Sequence, residues 1–292
     1  MVSIWIQAAR PKTLVSSFFP ALAGILLSYK LGFFNWVVAA ATLCCAIGLQ
    51  ILTNLANDYF DFKKGADKER LGPQRVTSSG LVTPAQIKQA IVLNVFICLL
   101  LGVFLVHRGG FPILLIGVCS VAFAILYTAG PFPLAYKGLG DIFAFVFFGP
   151  VACAGSFYLQ SGHWADSSIA AGTLFGFLAA CLLNANNLRD YDQDLQNKKK
   201  TLVVRYGEQF GRRLYSSCIL LSLALIPIFC FLNLLPNTAL ITLLAGFLIK
   251  PILKEVWSKR GADIIPLLVM TAKYYILYGL LLSIALATDI LI

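Results

Sequence analysis

Charged residues are scarce in this chain of 292 residues: they make up 12% of it, whereas hydrophobic residues make up 59%. A soluble domain carries roughly 25% charged residues, so the composition excludes an ordinary soluble protein. Mean hydropathy is +0.82, and the polar segments are too short to form a separate soluble domain. The composition therefore predicts a single membrane domain over residues 1–292.

Histidine is nearly absent, and the cysteines are not arranged in pairs. The 2 histidines, His107 and His163, are isolated, and none of the 8 cysteines forms a CxxC motif. All the cysteines lie inside apolar runs, which is typical of buried, unreactive thiols. A disulfide framework and a metal site built from histidine or cysteine both lack support.

Nine apolar runs approach the roughly 20 residues that a membrane-spanning helix needs. They cover residues 13–31, 36–57, 85–106, 111–129, 139–160, 167–187, 213–235, 237–253 and 264–290. This pattern predicts an all-α, polytopic membrane protein with about nine transmembrane helices. The first run continues past a cleavage-like Ala-Leu-Ala, which favours a spanning helix over a signal peptide.

The basic residues predict the orientation of the chain. Lys30 and Arg108 are the only Lys or Arg in loops after odd-numbered helices, and Lys273 lies inside the last helix, whereas the other 20 lie at the N-terminus or after even-numbered helices. Since cytoplasmic loops are rich in Lys and Arg, the N-terminus is predicted to be cytoplasmic. The same rule explains the net charge of +10 without a nucleic-acid partner.

Acidic residues are concentrated in two places. Seven of the 13 Asp and Glu lie in or just after the segments 54–61 and 187–194, which end the second and sixth apolar runs. Residues at helical positions i, i+3, i+4 and i+7 share a face, which groups Asn57, Asp58 and Asp61 on one helix and Asp190 and Asp194 on the other. Such oxygen ligands suit a hard cation such as Mg²⁺.

Three basic loops adjoin these helix ends, and the combination predicts a Mg²⁺–diphosphate site facing the cytoplasm. One alternative is that the acids only form salt bridges with the neighbouring loops. Another is a proton or cation transporter, although transport acids usually lie near the middle of the bilayer on broken helices. The repeated pattern also suggests two similar halves facing each other across a central cavity.

The first cluster with its loop, Asn57-Asp58-Tyr59-Phe60-Asp61 through Lys68, resembles the first aspartate motif of the UbiA superfamily of membrane prenyltransferases. The second, Arg189-Asp190-Tyr191-Asp192-Gln193-Asp194 through Leu202, resembles its second motif. Further segments are similar to the branch that prenylates 1,4-dihydroxy-2-naphthoate in menaquinone synthesis; they begin at Arg10, Arg70, Tyr127, Gly138 and Thr271. Many members carry an additional Asp where this chain has Gly65, and Asp67 lies two residues later.

The resemblance implies a UbiA-like fold around a central cavity in the inner membrane, with the active site on the cytoplasmic side. It implies Mg²⁺-dependent transfer of a polyprenyl group from an allylic diphosphate to the naphthoate, with loss of CO₂ and diphosphate, giving demethylmenaquinone. The alternatives are another phenolic acceptor, such as 4-hydroxybenzoate or homogentisate, or the transporter. The partners expected are these substrates and the lipid bilayer; no protein partner is predicted.

Residue roles follow from the same resemblance. The expected metal ligands are Asn57, Asp58, Asp61, Asp190 and Asp194, and the expected catalytic residues are Asp61, Asp190 and Lys137. The expected substrate-binding residues are Arg10, Arg75, Tyr127, Tyr136, Lys199 and Lys200. Arg75, Lys137, Lys199 and Lys200 are assigned to phosphate, Arg10 to the acceptor's carboxylate, and the two tyrosines to the carbocation. The alternatives without a catalytic role are that the basic residues only orient the chain in the membrane and that the two tyrosines belong to an interfacial aromatic belt. Lys273 either reaches the membrane surface or faces the cavity.

Overall fold

The computed structural model describes residues 2–65, 72, 75–130 and 133–288, and Asp67 lies outside them. The described residues form twelve α-helices and shorter helical turns. The α-helices are α1 Val2–Ala9, α2 Pro11–Lys30, α3 Trp36–Lys64, α4 Pro84–Leu126, α5 Gly140–Val146, α6 Ala152–Ser161, α7 Asp166–Arg189, α8 Tyr191–Gln196, α9 Leu202–Tyr206, α10 Glu208–Phe231, α11 Ile249–Ser258 and α12 Ile265–Thr288. The all-α membrane architecture predicted from the sequence is confirmed.

Helix α4 contains both the third and the fourth predicted runs, and it is broken at Gly110. This residue has a φ of 66°, which an L-residue with a side chain rarely adopts. Leu105 and Ile113, on either side of the break, pack in one cluster against the beginning of α3. Ile87, near the beginning of α4, packs near the end of α3, and Thr128, just after α4, bonds to a residue there. The chain therefore folds back on itself at Gly110.

The predicted number of nine spans is not confirmed. Within the described part of the chain, seven helical stretches are long and apolar enough to cross a membrane. The count is lower because α4 holds two of the predicted runs. In addition, the eighth run is a 3₁₀-helix over Asn237–Leu248 followed by α11 rather than one α-helix. The fifth run is interrupted by a π-helical turn over Phe147–Val151 between α5 and α6.

Helix α7 forms the centre of the bundle, packed against α2, α5, α10 and α12. Small residues allow this close approach: a Cβ on Gly172 would lie 2.7 Å from Pro150 Cα, and one on Gly176 would lie 2.6 Å from the Phe145 carbonyl oxygen. Small residues at such contacts let helix backbones approach closely in membranes. This packing fixes α7 in the bundle, and the second acidic motif begins where α7 ends.

Candidate active site

A cavity of about 310 Å³ lies between α2, α3, α4, α5, α6 and α7. Arg10, Asn54, Asn57 and Tyr127 line one end, beside the first acidic motif. The rest is mainly apolar, with an aromatic group (Phe123, Phe143, Phe147, Phe148) and, farther along, Thr42, Leu105, Ile113 and Leu159. From Asn57 to Thr42 the wall formed by α3 is about 22 Å long, at 1.5 Å per residue. A polar head and a long apolar tail fit this shape.

Asn54 and Asn57 connect the end of α3 to its neighbours. The Asn54 Nδ2 donates to the Ala9 carbonyl at 2.8 Å and to the Thr13 hydroxyl at 2.9 Å, which fixes the beginning of α2 against α3. The Asn57 Oδ1 accepts from the Thr128 hydroxyl at 3.0 Å. Both residues line the cavity, and Asn54 in addition joins the beginning of α2 to α3.

Asp58 and Asp61 have different surroundings although they share a helix face. Asp58 is 2% exposed, and its two oxygens accept from the backbone N–H groups of Val76 and Thr77 at 3.2 and 3.3 Å. The Asp61 carboxylate instead pairs with Arg75 at 2.7 Å, and Arg75 also donates to the Asn57 carbonyl. Both acids therefore hold the chain segment that returns to the site after the long connection.

The second motif begins where α7 ends. The Asp190 oxygens accept from the Arg189 Nε and Nη2, each at 2.6 Å, and Arg189 is 2% exposed. Gly72, from the connection after α3, lies against this guanidinium: a Cβ at Gly72 would be 2.7 Å from the Arg189 Cζ. The connection that follows the first motif thus reaches the second motif.

Asp194 and Lys199 form the other part of the second motif. Lys199 Nζ donates to the Asp194 Oδ1 at 3.2 Å, while the Oδ2 is buried without a hydrogen-bond partner. Burial raises the pKa of Asp194 to about 6; Lys199 opposes this rise, and the charges of Asp190 and Asp61 add to it. Carboxylates of both motifs therefore act on each other, a situation that a cation would relieve. Asp192 is exposed, in agreement with the helical spacing.

Tyr127 lies where the acids converge. Burial raises the pKa of the Tyr127 hydroxyl, and the charges of Asp141, Asp194 and Asp61 raise it further. Asp141, in the first turn of α5, accepts from Asn187 Nδ2 at 3.3 Å. Asp141 was not predicted as a site residue; its signals in the sequence are its position in a short polar loop and its place in the segment from Gly138 that resembles the naphthoate branch.

Tyr136 does not line the cavity, unlike Tyr127. Its ring instead packs under the Lys64 ammonium, 4.5 Å from the ring centroid, and Lys64 also donates to the Thr128 carbonyl at 2.5 Å. Lys64 and Arg189 are basic residues at the site that the sequence reasoning missed. Lys64 lies three residues after Asp61, and Arg189 directly precedes Asp190.

The remaining predicted residues lie at the same end of the molecule with different exposure. Lys137 and Lys200 are exposed, and Lys199 is half-buried. A Cβ added at Gly138 would lie 3.0 Å from the Lys200 carbonyl oxygen. The loops that carry Lys137 and Lys200 are therefore in contact. Lys273 is exposed on the outside of α12 and does not line the cavity.

The acidic side chains of the site offer oxygen ligands of the kind that Mg²⁺ prefers. In the described ranges, no three His, Cys, Asp or Glu side chains are close enough together to hold a metal ion by themselves. Mg²⁺, however, keeps several waters and typically uses one or two carboxylates together with substrate phosphates. The free Asp194 Oδ2 and the oxygen-only donor set fit that mode of binding, in which phosphate oxygens would supply the remaining ligands.

Residues 17–277 match the model of the UbiA prenyltransferase family, and the chain belongs to that family. It is therefore an enzyme, an aromatic prenyltransferase. It is 36% identical to the 1,4-dihydroxy-2-naphthoate octaprenyltransferase of Haemophilus influenzae, over 98% of this chain and 96% of that protein. It is 42% identical to the protein of the same name from Escherichia coli, over 74% and 72%.

Solved structures share the fold. A UbiA homologue from Aeropyrum pernix superposes with a TM-score of 0.70 at 16% identity, covering 94% of this chain and 98% of that one. A UbiA homologue from Archaeoglobus fulgidus bound to DMAPP and Mg²⁺ superposes with a TM-score of 0.60 at 14% identity, covering 96% and 99%. At these identities the likeness shows the fold.

Proposed function

We propose that this enzyme transfers a polyprenyl group from an allylic diphosphate to 1,4-dihydroxy-2-naphthoate, releasing diphosphate and CO₂. The observation that carries the proposal is the cavity: it is mainly apolar, and its polar end is lined by Asn57 of the first motif and by Tyr127, on which the charges of Asp61 and Asp194 act. The names of the relatives from Haemophilus influenzae and Escherichia coli support the naphthoate as the acceptor. The product is the reduced form of demethylmenaquinone, which places the enzyme in quinone biosynthesis.

The proposed metal ligands are Asn57, Asp61, Asp190 and Asp194, with Mg²⁺ neutralising the diphosphate so that it leaves more readily. Asp58 is a further proposed ligand. Because both of its oxygens also accept backbone N–H groups, we additionally assign it the positioning of the segment that carries Arg75.

The basic residues take the rest of the diphosphate charge. Arg75 and Lys199 each pair with a proposed metal ligand, so a bound diphosphate offers both cations a second anionic partner. Lys137 and Lys200, on touching loops, are the other proposed phosphate contacts. Positive charge in place before the reaction stabilises the leaving group as its negative charge develops.

The apolar part of the cavity protects the reactive intermediate. When the allylic C–O bond breaks, its electron pair leaves with the diphosphate, and the remaining carbocation lies among Tyr127, Phe123 and Phe143, whose rings favour a cation. The ring carbon that bears the carboxylate then forms the new C–C bond. The bond to the carboxylate breaks, its electron pair restores the aromatic ring, and CO₂ leaves without a net proton transfer.

We further propose an inner-membrane location with the N-terminus and the active site on the cytoplasmic side. The proposal depends on the distribution of Lys and Arg between alternate loops. A cysteine introduced at exposed Lys198 should react with a membrane-impermeant thiol reagent in inverted vesicles and not in intact cells. The reverse labelling would overturn the orientation.

The activity is tested in detergent micelles with Mg²⁺, a polyprenyl diphosphate and either 1,4-dihydroxy-2-naphthoate or 4-hydroxybenzoate. Wild type should give prenylated product and CO₂ from the naphthoate. Asp190→Asn should abolish both, whereas Asp192→Asn, an exposed acid two residues away, should retain them. Product from hydroxybenzoate alone would overturn the acceptor, and absence of diphosphate release with either acceptor would overturn the reaction.

A further inference from the structure

Two side-chain oxygen atoms on the cavity wall have no hydrogen-bond partner within the described residues. They are the Gln50 Oε1 on α3 and the Ser17 Oγ on α2. Both residues line the cavity, and they are 6% and 3% exposed. Buried polar groups in native proteins are almost always hydrogen-bonded, so two exceptions in the wall of one cavity point to a ligand.

Their positions place them one helical turn beyond the polar end of the cavity. Ser17 follows Thr13 by four residues on α2, and Gln50 precedes Asn54 by four residues on α3, so each lies on the same face as its neighbour. Thr13 and Asn54 are themselves joined by a hydrogen bond of 2.9 Å. Ser17 and Gln50 therefore lie between this bonded pair and the apolar part of the cavity.

The surrounding hydrogen bonds decide which way the Gln50 amide points. Asn54 must direct its Nδ2 to the Ala9 carbonyl, which can only accept. Its Oδ1 then faces Gln50 at 3.4 Å and requires a donor, which is the Gln50 Nε2. The Thr13 hydroxyl donates to the Arg10 carbonyl at 3.0 Å, so its oxygen also accepts from Gln50, at 3.2 Å. The Gln50 Oε1 is thus left as an acceptor that faces the cavity.

We infer that Gln50 Oε1 and Ser17 Oγ form a binding site for the 4-hydroxyl of the aromatic acceptor, the ring hydroxyl that is not adjacent to the carboxylate. A phenolic hydroxyl donates to Gln50 and contacts Ser17, while the ring carboxylate lies toward Arg10, which lines the same cavity. Gln50 and Ser17 are then positioning residues that select a dihydroxylated ring. This inference rests on the proposed function, because it deepens the description of the acceptor site.

The selection arises from the cost of an unmet hydrogen bond. A site built to bond a substrate hydroxyl rejects an analogue that lacks it, because buried polar groups are then left unpaired. One such bond corresponds to a preference of about 10- to 100-fold for the ligand that makes it. A water molecule occupying the same place would produce no such preference between acceptors.

The test compares equilibrium binding of 1,4-dihydroxy-2-naphthoate and 1-hydroxy-2-naphthoate to the full-length protein in micelles, with empty micelles subtracted. Wild type should bind the dihydroxy compound about 10- to 100-fold more tightly. Gln50→Leu and Ser17→Ala should each reduce this ratio, and together bring it near one. Thr42→Val is the matched control, because the Thr42 hydroxyl lines the same cavity but already donates to the Val38 carbonyl at 2.7 Å.

The inference is overturned if the two variants weaken both ligands equally or leave the ratio unchanged. Gln50→Leu also removes the bonds of Nε2, so a melting curve must show that it is folded. Ser17→Ala removes only a hydroxyl without a partner and carries the test if Gln50→Leu does not fold. Failure of the proposed function is distinguishable, since wild type would then bind the naphthoate without transferring a prenyl group, or not bind it at all.

Discussion

Replacing Asp61 by Asn removes the carboxylate that the Arg75 guanidinium faces at 2.7 Å. Both side chains are buried, with 7% and 11% of the Arg75 and Asp61 side chains exposed. Removing one member of such a pair typically costs about 3–5 kcal/mol, because the remaining charge is buried without its counter-ion. We expect Asp61→Asn to lower the melting temperature by roughly 10 °C. Arg75→Gln should lower it by a similar amount, because the Asp61 carboxylate is then the charge that is buried without its counter-ion.

The double variant Asp61→Asn with Arg75→Gln separates stability from activity. It leaves no uncompensated charge. Its loss of melting temperature should therefore be well below the sum of the losses of the two single variants, with a coupling energy of about 2–3 kcal/mol. Prenyl transfer should nevertheless remain at least about 100-fold below wild type, since a proposed metal ligand and a phosphate contact are both missing.

The measurement is a thermal melt in detergent on all four proteins, together with the micelle assay. Additive losses of melting temperature would refute the reasoning that this pair joins the returning segment to α3. Recovery of activity in the double variant would refute the assignment of Asp61 and Arg75 to the substrate site. Asp263→Asn, an exposed acid away from the motifs, should match wild type in both assays.

Three further predictions concern the anchoring acid, helix packing and the metal. Asp58→Asn should lower the free energy of unfolding by about 2 kcal/mol, since one of its two backbone N–H groups loses its acceptor; a melt equal to wild type would contradict the anchoring role. Gly24→Ala should destabilise by about 1–3 kcal/mol, because the new Cβ would lie 2.1 Å from the Cys153 carbonyl oxygen, whereas Gly102→Ala, with open space around it, should be neutral or stabilising in the same melt. Chelation with EDTA should stop diphosphate release and added Mg²⁺ should restore it; release unaffected by EDTA would contradict a metal-dependent site.

The amino-acid sequence determined the fold class and predicted the location of the site. Long apolar runs leave few structures other than spanning helices, because the backbone must satisfy its own hydrogen bonds in lipid. Carboxylates are costly in such a chain, so two clusters at helix ends required a chemical purpose. The grouping of Asp190 with Asp194, and the exclusion of Asp192, followed from helical periodicity alone and agrees with the burial of these side chains.

The tertiary structure decided which partner each polar group has. Asp58 and Asp61 look alike in sequence, yet one accepts backbone N–H groups and the other pairs with Arg75. Gly72 against Arg189 and the free oxygen of Gln50 likewise have no sequence signal. These contacts join segments far apart in the chain, and they depend on the direction from which each segment approaches. Local periodicity places a side chain on a helix face, but only the packing of the whole bundle determines what that face meets.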